Sequence, residues 1–409
     1  MRGPLAALFL LLACAAAGAK EPDAARAAPN RWADPRGTPS GCRSSRALPV
    51  TTDSVPAWSC KLQDEIIAPP VVWEGRVYLL GRTEKGDTLL ACVDLVSGKL
   101  LARKRLGALD ARRIAVWGGR VVVRKPGEVL ELLRVSRTFN VVWRHRIAQA
   151  GMSDPVVFEG EIYVVSGGRL IKLRLGRPGE VWKARDPRGG RLRGLPAIYG
   201  DQVYVLGDAA VPGYEPSLHL FAFDRRSGDL TGRMNVAWYA RKKPPPSSVA
   251  GELTVTPTRV YIHAPAPLAT RKGSVNYAGM VHSLHGGRVS FREPVRLFQW
   301  GSAPAVHRDG VIVLSEDEGR MWLLWSGKGG TVLARRRRHP DLFRNTTAPV
   351  VLGDVVYFGG WAADIKTFEI LWRLPVNRLR FPLIPVDRGL LLVDGQDTLT
   401  LMRPRVESE

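Results

Sequence analysis

Asp94 with Ser97-Gly98-Lys99, and again Asp224 with Ser227-Gly228-Asp229, are the residues whose spacing first points to chemistry. A carboxylate a few residues before a glycine can help to hold a cation or a polar ligand. The same spacing also makes a hairpin: the carboxylate accepts backbone N–H bonds and Gly supplies the positive φ the turn requires. Both copies lie between apolar runs, which favours the turn. "SEDEG" (315–319) gathers three carboxylates but lacks the ordered spacing of an EF-hand loop and reads as a solvated hairpin loop. "SGKGGT" (326–331) departs from GxxxxGK[ST], and no helix follows it to aim a dipole at a phosphate. His282 and His285 stand three residues apart, which on a strand puts them on opposite faces and prevents joint chelation. The four cysteines, Cys14, Cys42, Cys60 and Cys92, have no zinc-site spacing. Chain order yields no Ser-His-Asp or Cys-His set, so no catalytic, metal-binding or cofactor-binding residue is assigned.

The elements that would position any site follow from the rest of the chain. It has 409 residues, 60 basic against 38 acidic, and a formal net charge of +22. Such a field favours anionic partners. Most of the basic residues are arginine, which reflects genome composition as much as function. The N-terminus has the layout of an export signal: Arg2, then the apolar run "LAALFLLLA" (5–13), too short to span a bilayer as a helix. Two processing readings stay open. "Ala17-Gly18-Ala19" is a small-x-small cleavage site, ending a signal peptide at residue 19, whereas "LLAC" (11–14) has the form of a bacterial lipoprotein signal with Cys14 as the lipidated residue. Export permits disulfides, and Cys42 with Cys60 would close a small loop contributing roughly 3 kcal/mol. Cys92 lies in an apolar strand and reads as a buried thiol. Residues 20–56, rich in Ala, Pro and Arg, form a flexible tether.

From residue 57 to about 406 one unit recurs. "PPVVWEGRVYLLG" (69–81), "DPVVFEGEIYVVSG" (154–167), "LPAIYGDQVYVLGD" (195–208) and "APVVLGDVVYFGG" (348–360) are pairs of short apolar strands joined by a Gly/Asp turn. Equivalent positions are Val77, Val121, Ile162, Val203, Val260, Val311, Val356 and Leu390, a period near 45 residues. A second strand pair follows, best seen in "LLACVDLVSGKLLARKR" (89–105) and "LHLFAFDRRSGDLTGRMNV" (218–236), and its last strand often carries Trp: Trp143, Trp182, Trp238, Trp372 and, ahead of the first unit, Trp58. Four strands in such a period are the signature of a β-propeller blade, because one sheet cannot cover both its faces but a ring of sheets can. The fold expected is therefore all-β, a propeller of eight four-stranded blades, or seven if the degenerate second or fifth unit fails. The last unit stops after three strands. "AWSCKL" (57–62) has the character of the missing strand and is expected to complete it, closing the ring.

These residues, above all "APPVVWEGRVYLLG" and "LLACVDLVSGKLLARKR", resemble the pyrroloquinoline-quinone (PQQ)-like repeat. The resemblance covers roughly residues 57–403 and specifies fold more than function. It implies one of two branches: quinoprotein dehydrogenases, which hold PQQ and calcium at the hub, or non-catalytic propellers, including the propeller lipoprotein of the outer-membrane β-barrel assembly machinery. The chain looks more like the second. It has no adjacent cysteines and no carboxylate set that the repeat would bring to the centre, so no cofactor is expected, with PQQ plus calcium as the alternative. The expectation is an exported scaffold, periplasmic, anchored to the outer membrane or secreted, acting as a monomer on an envelope protein or an anionic surface. An extracytoplasmic glycan- or solute-binding propeller is a third reading. No nucleic-acid module is visible. The contact residues expected are Arg103 and Arg105 in a basic last strand, Tyr214 in the insertion 209–217, and Arg271, Lys272 and Tyr277 in the insertion 264–280.

Overall fold

The computed structural model describes residues 31–32, 44–45, 54–107, 109, 113–209, 217–238, 252–256, 259–268, 275–284, 290–291, 295–296, 304–307, 310–315, 320–326, 332–338, 347–374, 379–387 and 389–404. Every regular element among them is a β-strand; eight antiparallel blades follow in chain order, with Arg31–Trp32 added antiparallel to the sheet of Val71–Trp73 and Ser44–Ser45 added parallel to Val350–Leu352.

Blade 1 comprises Val71–Trp73, Arg76–Arg82, Thr88–Asp94 and Leu100–Gly107. Blade 2 comprises Ala115–Trp117, Arg120–Lys125, Val129–Val135 and Phe139–Arg146. Blade 3 runs Val156–Phe158, Glu161–Ser166, Arg169–Arg174 and Glu180–Ala184. The strands of blade 4 are Arg191–Tyr199, Gln202–Ala209, Ser217–Asp224 and Leu230–Trp238. Blade 5 contains Glu252–Val255, Arg259–Leu268, Val275–Leu284 and Ser290–Phe291, with Val295–Arg296 also on its third strand. Blade 6 contains Ala305–His307, Gly310–Ser315, Arg320–Ser326 and Val332–Arg338. Blade 7 is Val350–Leu352, Val355–Phe358, Trp361–Asp364 and Ile370–Arg373. Blade 8 takes Ile384–Val386, Gly389–Asp394 and Thr398–Pro404 from the C-terminal end, and Ser54–Lys61 from the N-terminal side.

The eight aligned sequence positions all fall on second strands, and the degenerate second and fifth units are both full sheets, so the count is eight. The strand expected at 57–62 is Ser54–Lys61, paired antiparallel with Thr398–Pro404 from Ser54↔Pro404 to Lys61↔Thr398. One apolar cluster joins Leu390 and Leu401 of blade 8 to Val72 and Val77 of blade 1 and to Val350 and Tyr357 of blade 7. First and last blades therefore pack on one another, as ring closure requires.

Why the strands read as apolar runs is visible in the second strand of each blade. Val77 and Tyr78 are neighbours on opposite faces, and both are fully buried. Val77 faces blade 8, and Tyr78 faces blade 2. Tyr163, Tyr204, Tyr261 and Tyr357 occupy the same position in blades 3, 4, 5 and 7, and all are buried. Each ring removes roughly 150–250 Å² from water, worth about 4 kcal/mol before entropy is subtracted. The other apolar clusters also lie between consecutive blades: 2 with 3, 3 with 4, 4 with 5, and 6 with 7. Between blades 5 and 6, Thr254 Oγ1 reaches the Pro304 carbonyl at 3.5 Å.

Outermost strands share a device that the sequence pattern does not display. In six blades the fourth strand carries a one-residue bulge, at Ala57, Leu101, Val142, Val181, Thr231 and Leu371. The bulge lies directly before a position held by Trp in blades 2, 3, 7 and 8, by Ala102 in blade 1 and by Gly232 in blade 4. Trp238, expected at that position of blade 4, instead lies at the strand's far end opposite Ser217. The bulged aliphatics Leu101, Val142, Val181 and Leu371 are turned out to solvent. A bulge breaks the regular ladder of an edge and so blocks further strand addition.

The turn chemistry expected of Asp94 and Asp224 is present. Asp94 Oδ1 accepts the N–H of Ser97 at 2.7 Å and of Val96 at 3.2 Å, and the Ser97 hydroxyl at 2.7 Å. Asp224 Oδ1 accepts the N–H groups of Arg226 and Ser227, both at 2.8 Å. Blade 7 repeats the motif with Asp364, whose Oδ1 accepts Lys366 N at 2.8 Å and Thr367 N at 2.7 Å. Its Phe368 sits at φ +60°, where blades 1 and 4 have glycine.

Candidate functional site

Strand order sorts the connections. The turns between second and third strands and the links from blade to blade leave one face of the molecule. The strand ends Ala209, Ser217, Leu268 and Val275 lie on it too. On this face blades 2 to 5 surround a cavity of about 530 Å³.

Its polar lining arrives at one position of the repeat. Arg113 precedes the first strand of blade 2 by two residues, Asp154 holds the same place before blade 3, and Glu252 opens the first strand of blade 5. First strands of successive blades pack side by side, so residues at their starts converge on the hub. Arg113 Nη2 donates to Glu252 Oε1 at 2.5 Å, tying blade 2 to blade 5 across the cavity. Arg124 Nε stands 3.7 Å from Asp154 Oδ1, and its guanidinium also donates to the Met152 carbonyl. Arg193 Nε lies 2.5 Å from Asp208 Oδ2. The rim at Gly151 and Met152 is held by Glu128, whose two carboxylate oxygens each accept one of their N–H groups at 3.0 Å. Glu128 adopts φ +60° to do so, a conformation that costs a non-glycine residue about 1–2 kcal/mol. Ser153 Oγ donates to the Asp154 carbonyl at 3.0 Å and accepts Val165 N–H at 3.0 Å, so it is a structural hydroxyl with no base beside it.

This constellation can hold charge and shape but has no nucleophile–base pair. It also does not fit the quinone–calcium pair. Calcium takes six to eight oxygens at about 2.3–2.6 Å. Asp154 and Glu252 are each already paired with an arginine, and no group of three His, Cys, Asp or Glu able to hold a metal occurs among the described residues.

Behind the cavity, blades 3 and 4 share a buried polar knot. The Asp186 side chain is fully buried and lies 3.5 Å from Arg233 Nη2. His219 Nε2 meets Ser217 Oγ at 2.9 Å while its Nδ1 has no hydrogen-bond partner. Burial, with the nearby charge of Arg233 adding to it, pulls the His219 pKa down to about 4, so this imidazole is neutral at pH 7.

The sequence-expected contacts do not gather at this hub. Arg103 and Arg105 lie on the outermost strand of blade 1, as expected of a guarded edge; Arg103 pairs with Asp64, and Arg105 is exposed. Tyr277 is not on a loop. Residues 264–268 and 275–280 extend two strands, with Ala264 opposite Tyr277 and a register shift before Leu268, because the inserted residues continue the ladder. Tyr214, Arg271, Lys272, Cys14 and Cys42 lie outside the described residues. Cys60 is half-buried on the strand that completes blade 8, and burial raises its pKa. Cys92 is fully buried, its thiol pushed up to about 11 by desolvation. Arg113, Arg124, Asp154, Arg193 and Glu252 were not singled out from sequence. Three of them occupy one repeat column that is otherwise apolar in "PPVVW", "LPAIY" and "APVVL", and aligning the units by that column is the signal that finds them.

Residues 85–264 match the family model described as outer membrane protein assembly factor BamB. No curated protein matches the chain. Among solved structures, BamB from Moraxella catarrhalis superposes with a TM-score of 0.57 at 16% identity, covering 88% of this chain and 100% of that one. Quinohemoprotein alcohol dehydrogenase from Comamonas testosteroni gives 0.56 at 15% identity, covering 93% and 82%. The computationally designed Ika8 protein gives 0.53 at 11% identity, covering 84% and 97%. At these identities the structural likenesses speak to fold alone. Eight four-stranded blades, five with a Val-Tyr or Ile-Tyr second strand and three with Asp-anchored turns, matched over residues 85–264 by the BamB model, resemble a PQQ-like β-propeller of the BamB kind.

Proposed function

We propose that the chain is an exported, non-catalytic propeller that serves as a scaffold for a protein partner in the bacterial cell envelope, in outer-membrane protein assembly. The observation that carries this reading is the hub. Its cavity is braced by an arginine–carboxylate bridge between blades 2 and 5, while the match to the BamB model covers blades 2 to 4 and the start of blade 5. Contacts would come from the face bearing the insertions, with Tyr214, Arg271, Lys272 and Tyr277, and from the rim at Arg103 and Arg105. Anchoring would run through Cys14, and Cys42 would pair with Cys60.

Capture on the tagged full-length chain from envelope extracts tests the scaffold reading. The expected result is a stoichiometric envelope protein that is lost in Arg271→Glu/Lys272→Glu; no retained protein in any detergent condition overturns it. Fatty-acid labelling of the chain and of Cys14→Ser tests the anchor, and a non-reduced peptide map tests the Cys42–Cys60 bridge. The quinohemoprotein neighbour supports a second reading as a PQQ-dependent oxidoreductase. Dye reduction with alcohols or sugars after addition of PQQ and calcium would establish it and displace the scaffold.

A further inference from the structure

On the same face, adjoining the hub cavity and sharing Gly167, Gly168 and Arg191 with it, a second cleft of about 270 Å³ lies between blades 3 and 4. Three arginines reach it from three parts of the chain. Arg169 opens the third strand of blade 3 after the Gly167-Gly168 turn. Arg185 follows the outermost strand of that blade. Arg191 begins the first strand of blade 4. Gly190 in its lining has no room for a side chain: a Cβ there would stand 2.4 Å from Asp186 Oδ2.

What distinguishes these arginines is their lack of counter-charge. The other arginines that line the hub are matched: Arg113 by Glu252, Arg124 by Asp154, Arg193 by Asp208. Among the described residues, Arg169, Arg185 and Arg191 have no carboxylate within ion-pair distance. The only carboxylate lining the cleft is Asp186, and it is fully engaged. Its Oδ1 accepts Arg188 N–H at 3.2 Å, its Oδ2 accepts Gly190 N–H at 3.0 Å, and Arg233 stands behind it. Asp186 therefore shapes the 185–191 segment without neutralising the cleft.

We propose that this cleft binds a phosphate group. Guanidinium is a planar fork that pairs with two oxygens of a phosphate at once, and three forks arriving from different directions suit a tetrahedral oxyanion better than a planar carboxylate. The cleft has room for a phosphate and a few attached atoms, not for an extended acidic peptide. The net positive field of the chain raises the local concentration of any anion. The phosphate can be that of a soluble phosphomonoester or of a phospholipid headgroup, and the two sources are separable by experiment.

The test uses the full chain with inorganic phosphate in a calorimeter, and flotation with vesicles of phosphatidylcholine alone or mixed with phosphatidylglycerol. The expected result is saturable phosphate binding with a Kd of about 1 mM that weakens at least about tenfold in Arg185→Gln/Arg191→Gln. Arg134→Gln, an exposed blade 2 residue, should bind as the parent does. Binding of free phosphate without vesicle association assigns a soluble ligand. Flotation that requires phosphatidylglycerol and is lost in the double variant assigns a headgroup. Absence of both, or binding unchanged in a double variant whose unfolding midpoint matches the parent, overturns the proposal. Arg169→Gln is the second variant should the double one fail to fold.

Discussion

Blade junctions in this molecule are sealed in two opposite ways. Where blade 8 meets blade 1, Trp58 of the outer strand lies over Gly98 of the next blade's turn, so close that a Cβ there would stand 2.6 Å from the ring, and its indole N–H donates to the Leu95 carbonyl at 3.0 Å. Blades 3 and 4 repeat this with Trp182, Gly228 and the Arg225 carbonyl at 3.1 Å. Where blade 1 meets blade 2 the same outer-strand position is Ala102, opposite Cys92. Where blade 6 meets blade 7 it is Arg335, opposite Leu323. In both of these junctions the following turn supplies a buried phenylalanine. Phe139 packs with Ala102 and Cys92, and Phe368 with Met321 and Leu323. One side gives the ring and the other gives way, Trp over Gly or, between blades 1 and 2, Phe over Ala. The lesson concerns Gly98 and Gly228: positive φ alone does not demand glycine, because Phe368 adopts it. The overlying indole does.

This comparison can be broken. Phe139→Ala should cost about 3 kcal/mol, since nothing on blade 1 can fill the space, and Trp182→Ala should cost nearly as much; urea midpoints measure both. A loss under 1 kcal/mol for either would mean that the ring is not the seal. Next in size is a swap. Ala102→Trp alone should overpack the junction by about 1–3 kcal/mol. Combined with Phe139→Ala it should destabilise less than the sum of the two single changes by at least about 1 kcal/mol. Strict additivity would deny the reciprocity. The smallest effect distinguishes the turns. Hydrogen bonds from Ser97, side chain first and then backbone, hold the Asp94 pKa below the ordinary carboxylate value, and the Ser227 backbone does the same for Asp224. A lowered folded pKa contributes stability that is present above the unfolded value near 3.8 and is lost as pH falls through the folded one. Asp94→Asn should cost about 1 kcal/mol at pH 7 and reduce the stability difference between pH 7 and pH 3.

His219 titrates in the opposite sense of charge but the same direction of pH. Its folded pKa of about 4 lies below the usual 6.5, so unfolded chains take up the proton first. Stability should therefore fall as pH drops from about 6.5 to about 4, and His219→Gln should flatten that slope in thermal unfolding across the range.

Strand pairs, turn aspartates, eight units and the donated N-terminal strand were all readable from the chain, because alternation, turn stereochemistry and period are local properties that recur in each unit. Residues 264–268 and 275–280 of the insertion extend strands where a loop was expected, since polar and small residues can extend a ladder as well as interrupt it. The hub was the least legible part. Arg113 and Glu252 stand 139 residues apart, and their meeting depends on how far the ring turns between blades 2 and 5. The same is true of the cleft: Arg169, Arg185 and Arg191 are unremarkable surface arginines until packing shows that every neighbouring carboxylate is already taken. Sequence alone determined the blade and its repetition. Only tertiary structure decided which side of each junction provides the ring and which charges are left without a partner, because both are settled by close packing between blades that no single repeat contains.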